Sequence, residues 1–159
     1  MLKLNLFGGK KYFKKEDLET VLKEVEKELG KDLSGYLNVI FVDEKEIRVL
    51  NKRYRNTDSP TDVLSFIYNN EECKGEILIS SEYIKKQILR GDEFPDVPLK
   101  YYNKDSGSRA ISREKVEILK VLIHGFLHIF GFDHQGLRDK IKMEEKERKI
   151  FSRLIPKIS

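Results

Sequence analysis

The chain has 159 residues, a length typical of one domain that buries a hydrophobic core without help from disulfides. Its 31 Lys and Arg residues outnumber its 27 Asp and Glu residues, so the net charge is +4 and the surface mildly favours anionic partners. The hydrophobic share of 39% excludes a largely disordered protein, and a lone cysteine excludes an intramolecular disulfide framework. No apolar run has the length of a membrane span, and the first residues are too interrupted for a signal peptide. We therefore expect a cytoplasmic protein without membrane contact.

The first predicted elements are a strand, a helix and a second strand. Residues 2–7 alternate apolar and polar side chains, which predicts a strand with one buried face. Apolar residues recur at three- and four-residue steps over 15–29, and Gly30 follows them as a C-cap, so this segment is predicted to be an amphipathic helix. The β-rich run 37–42 predicts the second strand.

A short helix and a polar loop come next. Asp43 followed three residues later by Glu46 is a capping-box pattern, which predicts a helix through about Tyr54. The turn-forming residues Asn, Asp, Ser and Pro then predict a loop over 55–62.

The middle of the chain contains a predicted hairpin and a long polar segment. Residues 63–67 and 76–80 are β-rich, and the short linker between them suits a hairpin better than a crossover. Apolar spacing predicts a helix over about 81–89. Residues 91–110 have no clean period, so we expect a loop insertion or a functional lid there.

Two helices complete the predicted order. Residues 112–130 are apolar on nearly every side in their second half, so this helix is predicted to be central and buried, with Ser112 as its N-cap. A charged helix with an interrupted apolar seam is predicted over about 137–154. The order of elements predicts one α+β domain over 1–159, with a small mixed sheet of about four strands packed against about five helices.

All three histidines of the chain fall between residues 124 and 134. His124 and His128 lie one helical turn apart on one helix face. Gly131 permits the left-handed backbone that ends a helix, so the chain can turn back and bring His134 toward the same point. Three neutral imidazoles with a fourth position left for water are typical of a catalytic zinc site, so we predict one zinc ion per chain.

Other interpretations of these residues compete with the zinc site. Core histidines are the plainest alternative, but three buried imidazoles without a common partner would leave polar groups unsatisfied. Cys73 is more typical of a small buried hydrophobic residue than of a fourth ligand. Asp133, beside the third histidine, either orients a ligand or a water or caps a turn.

The histidine spacing is also that of metzincin proteases. Such a protease carries Glu directly after the first histidine, where it takes a proton from the metal-bound water. Gly125 occupies that position here, so the usual base for peptide hydrolysis is missing. A metzincin-like metalloprotease therefore stays as an alternative that this residue weakens.

The segment from His124 to His134 resembles the signature of the bacterial YbeY family, whose members are metal-dependent, single-strand-specific endoribonucleases of ribosomal RNA maturation. The segment from Leu50 to Phe66 is similar to the second signature of that family, and the resemblance covers roughly residues 36 to 150. Further similar residues are Gly75, Glu76, Ile77, Met143, Glu144 and Glu147. The chain departs from the pattern with Ile67 in place of a frequent Pro, Glu76 in place of a common Asp, and an apparent insertion over 91–110.

The resemblance implies a zinc-dependent hydrolase that cuts single-stranded RNA. It implies His124, His128 and His134 as zinc ligands and Arg55 as the catalytic arginine. A zinc-activated water would attack the phosphodiester, with ribosomal RNA precursors or ribosomal particles as substrates, in RNA processing and ribosome quality control. A non-catalytic, ribosome-associated RNA-binding protein stapled by zinc is a further alternative. Lys52, Arg53 and the basic residues of the last helix suit an RNA backbone, although the last helix equally suits a solvated face.

Overall fold

The computed structural model describes residues 2–68, 70–91, 112–132 and 136–158. These residues form four strands and five helices in an α+β arrangement, which confirms the predicted class. In chain order they are β1 (Lys3–Phe7), α1 (Lys15–Leu29), β2 (Tyr36–Phe41), α2 (Glu44–Arg55), β3 (Val63–Ile67), β4 (Cys73–Ile79), α3 (Ser81–Leu89), α4 (Arg113–Ile129) and α5 (Leu137–Ile158). The predicted insertion lies outside the described residues except for Gly91. None of the described helices is both long and apolar enough to cross a membrane.

Side-chain and backbone caps fix the starts of α2 and α4 and the end of α1 at the predicted places. The Asp43 carboxylate accepts a hydrogen bond from the backbone N–H of Glu46 at 2.7 Å, and the Ser112 hydroxyl accepts one from Lys115 at 3.2 Å. Gly30 ends α1 in the left-handed conformation, with φ of 60°. These contacts satisfy backbone groups that a helix end leaves without partners.

The strands form one mixed sheet with the order β1-β2-β4-β3. β1, β2 and β4 run parallel, whereas β3 is antiparallel to β4, so the predicted hairpin is confirmed. β4 begins at Cys73, three residues earlier than the sequence predicts, and Gly75 lies within the strand rather than in the linker. A Cβ at Gly75 would lie 2.5 Å from the Phe66 carbonyl oxygen, so the close pairing of the hairpin requires glycine there.

The two faces of the sheet carry different cores. Ile77 and Ile79 of β4 belong to the main core, which α1, α3, α4 and α5 share. Leu78 points to the opposite face, where it packs with Ile47 of α2 and Leu64 of β3. Ten of the 17 residues of α4 are buried, which confirms that the histidine-bearing helix is central. Helices α2 and α4 therefore pack on opposite faces of the sheet. Both helices contact β3, the strand at the edge of the sheet.

Candidate functional site

A cleft of about 850 Å³ runs along the β3 edge of the sheet. α2 contributes Asn51 and Arg55 to its lining, and α4 contributes His124 and His128. The fold thus brings the predicted arginine together with two of the three predicted zinc ligands. His134 and Asp133 lie outside the described residues.

The two described histidines face one another across one helical turn. Their Nε2 atoms are 3.0 Å apart, and their rings are nearly perpendicular, with an interplanar angle of 81°. Two ligand atoms at the usual zinc distance in a tetrahedral site are separated by about 3.3 Å. The pair of nitrogens therefore fits a zinc ion that both imidazoles contact.

A carboxylate from α5 holds the other nitrogen of His124. Nδ1 of His124 lies 2.6 Å from Oε1 of Glu147, whose side chain is 18% exposed. When this Nδ1–H donates to the carboxylate, the neutral ring carries its lone pair on Nε2, the nitrogen that faces His128. Metal-binding histidines commonly have such a carboxylate partner, which orients the ring and raises its basicity.

Sequence reasoning did not assign a role to Glu147, although the pattern of α5 held a signal. Met143 and Ile150 are buried, and Glu147 lies between them on the same helix face, at the steps of four and three residues that predict burial. A carboxylate in an apolar seam needs a partner, and the interruption of the seam at this residue points to one.

The described residues hold part of the predicted metal site. Among residues 2–68, 70–91, 112–132 and 136–158, no three His, Cys, Asp or Glu side chains converge as metal ligands. Cys73 lies at the start of β4, and its thiol lies 3.7 Å from the Gly75 carbonyl oxygen, while the lining of the cleft comes from other residues. Of the predicted zinc ligands, the described residues therefore include His124 and His128.

Gly131 ends α4 as the sequence predicts. Its φ is +97°, its N–H donates to the His128 carbonyl at 2.9 Å, and the N–H of Phe132 donates to Leu127 at 3.0 Å. These bonds form the usual glycine-based helix terminus, in which the chain leaves the helix axis sharply. Gly131 and Phe132 then line the cleft, so the chain turns toward the histidine pair as it leaves the helix.

Arg55 is the last residue of α2, one residue away from the predicted loop boundary. Asn56 follows in the left-handed conformation, with φ of 55°, and ends the helix. Nη2 of Arg55 donates to the carbonyl oxygen of Ser65 in β3 at 3.0 Å. Asn51 supports this turn, because its amide donates to the Ser59 carbonyl at 2.9 Å. The helix end and the edge strand together fix the arginine at the cleft.

The floor of the cleft is the outer edge of β3. The Asp62 carbonyl accepts a hydrogen bond from Ser80, and the Tyr68 N–H donates to Lys74, both at 3.0 Å, so even-numbered residues of this hairpin pair with β4. Backbone groups of alternate residues point to opposite sides of a strand. The residues that direct their N–H and C=O groups away from β4 also line the cleft: Val63, Ser65 and Ile67.

The packing of Gly125 bears on the protease alternative. A Cβ at this position would lie 2.9 Å from Cδ1 of Ile77 in the main core. Position 125 therefore faces the sheet, and glycine allows α4 to approach β4 closely. A glutamate there would meet apolar side chains instead of a water in the cleft.

Comparisons with known proteins agree with this geometry. The family model for Endoribonuclease YbeY matches residues 9–155. An Endoribonuclease YbeY from Fusobacterium nucleatum subsp. nucleatum is 34% identical, covering 94% of this chain and 86% of the relative. One from Thermotoga petrophila is 37% identical, covering 84% of this chain and 76% of the relative. The solution structure of TM1509 from Thermotoga maritima matches with a TM-score of 0.62 and 29% identity, covering 99% of this chain and 91% of that chain.

The matches confirm the resemblance inferred from the two sequence signatures. The family model includes the histidine segment, the Arg55 turn and Glu147 within one continuous match. The chain therefore belongs to the Endoribonuclease YbeY family.

Proposed function

We propose that the protein is a zinc-dependent endoribonuclease that hydrolyses phosphodiester bonds in single-stranded RNA. Membership of the family supports an endoribonuclease role and an RNA substrate. The observation that carries the proposal is the cleft in which Arg55 of α2 meets His124 and His128 of α4. A basic arginine and a pair of facing imidazoles suit a reaction in which negative charge develops on a phosphate.

His124, His128 and His134 would hold one zinc ion per chain. When bound, zinc supplies an activated water as nucleophile and positive charge beside the scissile phosphate. Glu147 would accept a hydrogen bond from Nδ1–H of His124 and so keep the Nε2 lone pair turned toward His128. Asp133, next to the third ligand, would orient that ligand or a water.

Arg55 would stabilise the transition state. One of its guanidinium nitrogens is held by the Ser65 carbonyl, and the planar fork leaves further N–H donors for phosphate oxygens. Because the anchor fixes the fork before substrate arrives, little reorganisation is needed as charge develops. The outward N–H groups of the β3 edge are additional donors of a kind that commonly contacts phosphates.

Ribosomal RNA precursors or ribosomal particles are the substrates we propose, in ribosomal RNA processing and ribosome quality control in the cytoplasm. The support for this part is the resemblance of the two sequence signatures to those of the family. We treat residues 1–159 as one hydrolase domain. The metalloprotease alternative is weakened further by the sheet-facing position of Gly125.

The experiment is incubation of zinc-loaded, nuclease-free protein with single-stranded RNA, duplex RNA and a casein-like protein. We expect cleavage of the single strand only, its loss with a chelator and its recovery with zinc. The His128→Ala variant, prepared identically, controls for contaminating nuclease. Cleavage of the protein substrate alone would support the protease, and RNA binding without cleavage would support the zinc-stapled binding protein.

A further inference from the structure

The last turn of α2 makes two neighbouring contacts with β3. Arg55 binds the carbonyl of Ser65 at the cleft, and the preceding residue, Tyr54, packs its ring against Phe66. The two ring centroids are 5.3 Å apart in an edge-to-face arrangement. Consecutive residues of the helix therefore contact consecutive residues of the strand, and consecutive Cα atoms are about 3.8 Å apart.

Tyr68 extends this aromatic surface along the strand. It lies two residues after Phe66, so its side chain points to the same side of the extended chain. Its hydroxyl donates to Oε1 of Glu76 at 2.5 Å, which raises the pKa of Tyr68 to about 12 and keeps the phenol neutral. We call Tyr54, Phe66 and Tyr68 the aromatic strip.

The two tyrosine side chains of the aromatic strip are exposed to solvent. Tyr54 is 57% exposed and Tyr68 is 39% exposed, whereas Phe66 is half-buried against the core of Ile47, Leu64 and Leu78. Large apolar side chains that cluster on a surface commonly mark a binding site. The strip therefore lies next to the contact of Arg55 with β3, just outside the residues that line the cleft.

An arginine lies against one ring of the strip and a carboxylate lies beside another. The guanidinium of Arg53 lies 5.9 Å from the centroid of the Tyr54 ring. The nearby carboxylate of Glu76 keeps its negative charge, and two hydrogen bonds hold it in place, one from Tyr68 and one from the Asn38 amide at 3.0 Å. Exposed rings beside an arginine are the usual means by which proteins stack the bases of single strands.

We propose that the aromatic strip stacks an unpaired base of the RNA whose phosphate Arg55 holds. This inference rests on the proposed function and assigns its preference for single strands to a physical cause. A base inside a duplex is stacked on its neighbours and cannot lie on the Tyr54 ring, whereas an unpaired base can. A base next to the held phosphate is within reach, since Tyr54 directly precedes Arg55.

The test uses the zinc-loaded full-length protein and a short single-stranded RNA. Tyr54→Ala should raise KM about tenfold, the effect of losing one base stack, with kcat little changed. Tyr54→Phe should behave like the wild type, because the ring remains. Phe7→Ala is the matched control, since Phe7 is 53% exposed on β1 at the opposite edge of the sheet, and its KM should not change.

An abasic scan separates stacking from a general loss of structure. A base is removed from each position of the RNA in turn. The KM of the wild type should rise about tenfold when the missing base is at one position near the cleavage site. At that position Tyr54→Ala should lose nothing further, because the same contact is already absent. The proposal would be overturned if Tyr54→Ala raised KM by the same factor for every abasic RNA. It would also be overturned if Tyr54→Ala and the wild type had equal KM for the intact RNA.

A binding measurement keeps this inference separate from the proposed catalysis. If the wild type does not cut RNA, the proposed function fails, and the strip is then tested with an RNA that carries a fluorescent 2-aminopurine base. Stacking on Tyr54 quenches that base in the wild type and in Tyr54→Phe but not in Tyr54→Ala. Equal quenching in all three proteins would reject the strip as a base platform.

Discussion

Arg55 combines a fixed anchor with donors that remain at the cleft. Its hydrogen bond goes to the Ser65 carbonyl, a backbone group of the edge strand β3. The sheet rather than another charged side chain therefore positions the guanidinium. Arginine suits this arrangement because its fork can bind a carbonyl and a phosphate at the same time. The role we propose is therefore testable by replacing the fork while keeping the charge.

We expect Arg55→Ala to lower the rate of RNA cleavage about a hundredfold or more, because its interactions strengthen as charge develops in the transition state. RNA affinity should fall much less. The loss of one phosphate contact should reduce the slope of log affinity against log salt concentration by about one unit. Arg55→Lys should recover little, since an ammonium lacks the fork. Single-turnover cleavage and a binding titration on the same samples provide the measurement.

The zinc content of the Arg55→Ala protein serves as the control and should equal that of the wild type. An unchanged cleavage rate would identify Arg55 as an ordinary exposed residue. Loss of zinc together with activity would give Arg55 a structural role instead.

Glu147→Ala should weaken zinc binding about tenfold to a hundredfold, because His124 loses the partner that orients its ring. Glu147→Gln should retain part of the zinc affinity, since its amide oxygen still accepts a hydrogen bond from Nδ1–H of His124. Competition with a chromophoric chelator measures the affinity without relying on activity. Glu145→Ala is the matched control, because Glu145 is an exposed carboxylate on the same helix. Equal zinc affinity in both alanine variants would contradict the positioning role.

Gly125 shows how one missing side chain sets the distance between α4 and the sheet. We expect Gly125→Ala to reduce stability, because overpacking against Ile77 costs about 1–3 kcal/mol and the gain in helix propensity offsets only about 1 kcal/mol. Gly125→Glu should destabilise more and yield no peptidase. Denaturant unfolding provides the comparison, with Gly136→Ala as control, since a Cβ at Gly136 meets nothing within 4 Å. A folded Gly125→Glu protein with metal-dependent peptidase activity would revive the protease.

Among the elements, α5 is held to α1 by ion pairs as well as by its apolar seam. Glu24 and Glu28 of α1 are nearly buried and pair with Lys157, Arg153 and Lys146 of α5. Helix α5 continues to Ile158, beyond the predicted end at about residue 154, and the pair between Lys157 and Glu24 lies in this extension. The same helix carries Glu147, so the contact between α1 and α5 also supports the position of the histidine partner.

The ion pairs between α1 and α5 should make the stability of the folded protein depend on pH. Hydrogen bonds from Lys157 and Arg153 lower the pKa of Glu24 and Glu28 respectively below the ordinary value of 4.5. A lowered pKa in the folded state adds stability above that value, and the contribution is lost as pH falls through the folded pKa. We expect Arg153→Gln to lower Tm most near neutral pH, with the difference from wild type shrinking below about pH 4. Lys142→Gln, an equal charge change on an exposed side chain, should show no such trend in the same thermal scans.

Local patterns predicted the elements because helices and strands repeat over distances that the sequence displays. Contacts between elements were harder to predict. The predicted start of β4 was wrong because its first residues pair with β2 and with the Tyr68 backbone, contacts between segments that are distant in the sequence. Likewise, the His124 to Glu147 contact depends on how α5 packs against α4, which no single-segment pattern encodes. The histidine pair itself was predictable, since one helical turn separates its members.

For the molecule as a whole, zinc should act as a structural ligand as well as a cofactor. A ligand that binds only the folded state raises the stability of that state by an amount that grows with the logarithm of the free ligand concentration relative to its Kd. We therefore expect about one zinc per chain and a higher Tm in zinc than in chelator for the wild type. His128→Ala should contain less zinc and show little difference between the two conditions. Elemental analysis and thermal unfolding decide this, and full zinc content in His128→Ala would overturn the ligand assignment.

The position of the cleft also bears on how the protein avoids association with itself. An edge strand with outward N–H and C=O groups is a template for pairing with the sheet of another molecule. Residues of α2 and α4 flank the outer edge of β3 in the cleft, and Arg55 already binds the Ser65 carbonyl, so both features hinder pairing with a broad sheet from a second copy. A single extended chain can still enter. The helices that carry Arg55 and the histidines therefore shield the backbone of this edge without closing it.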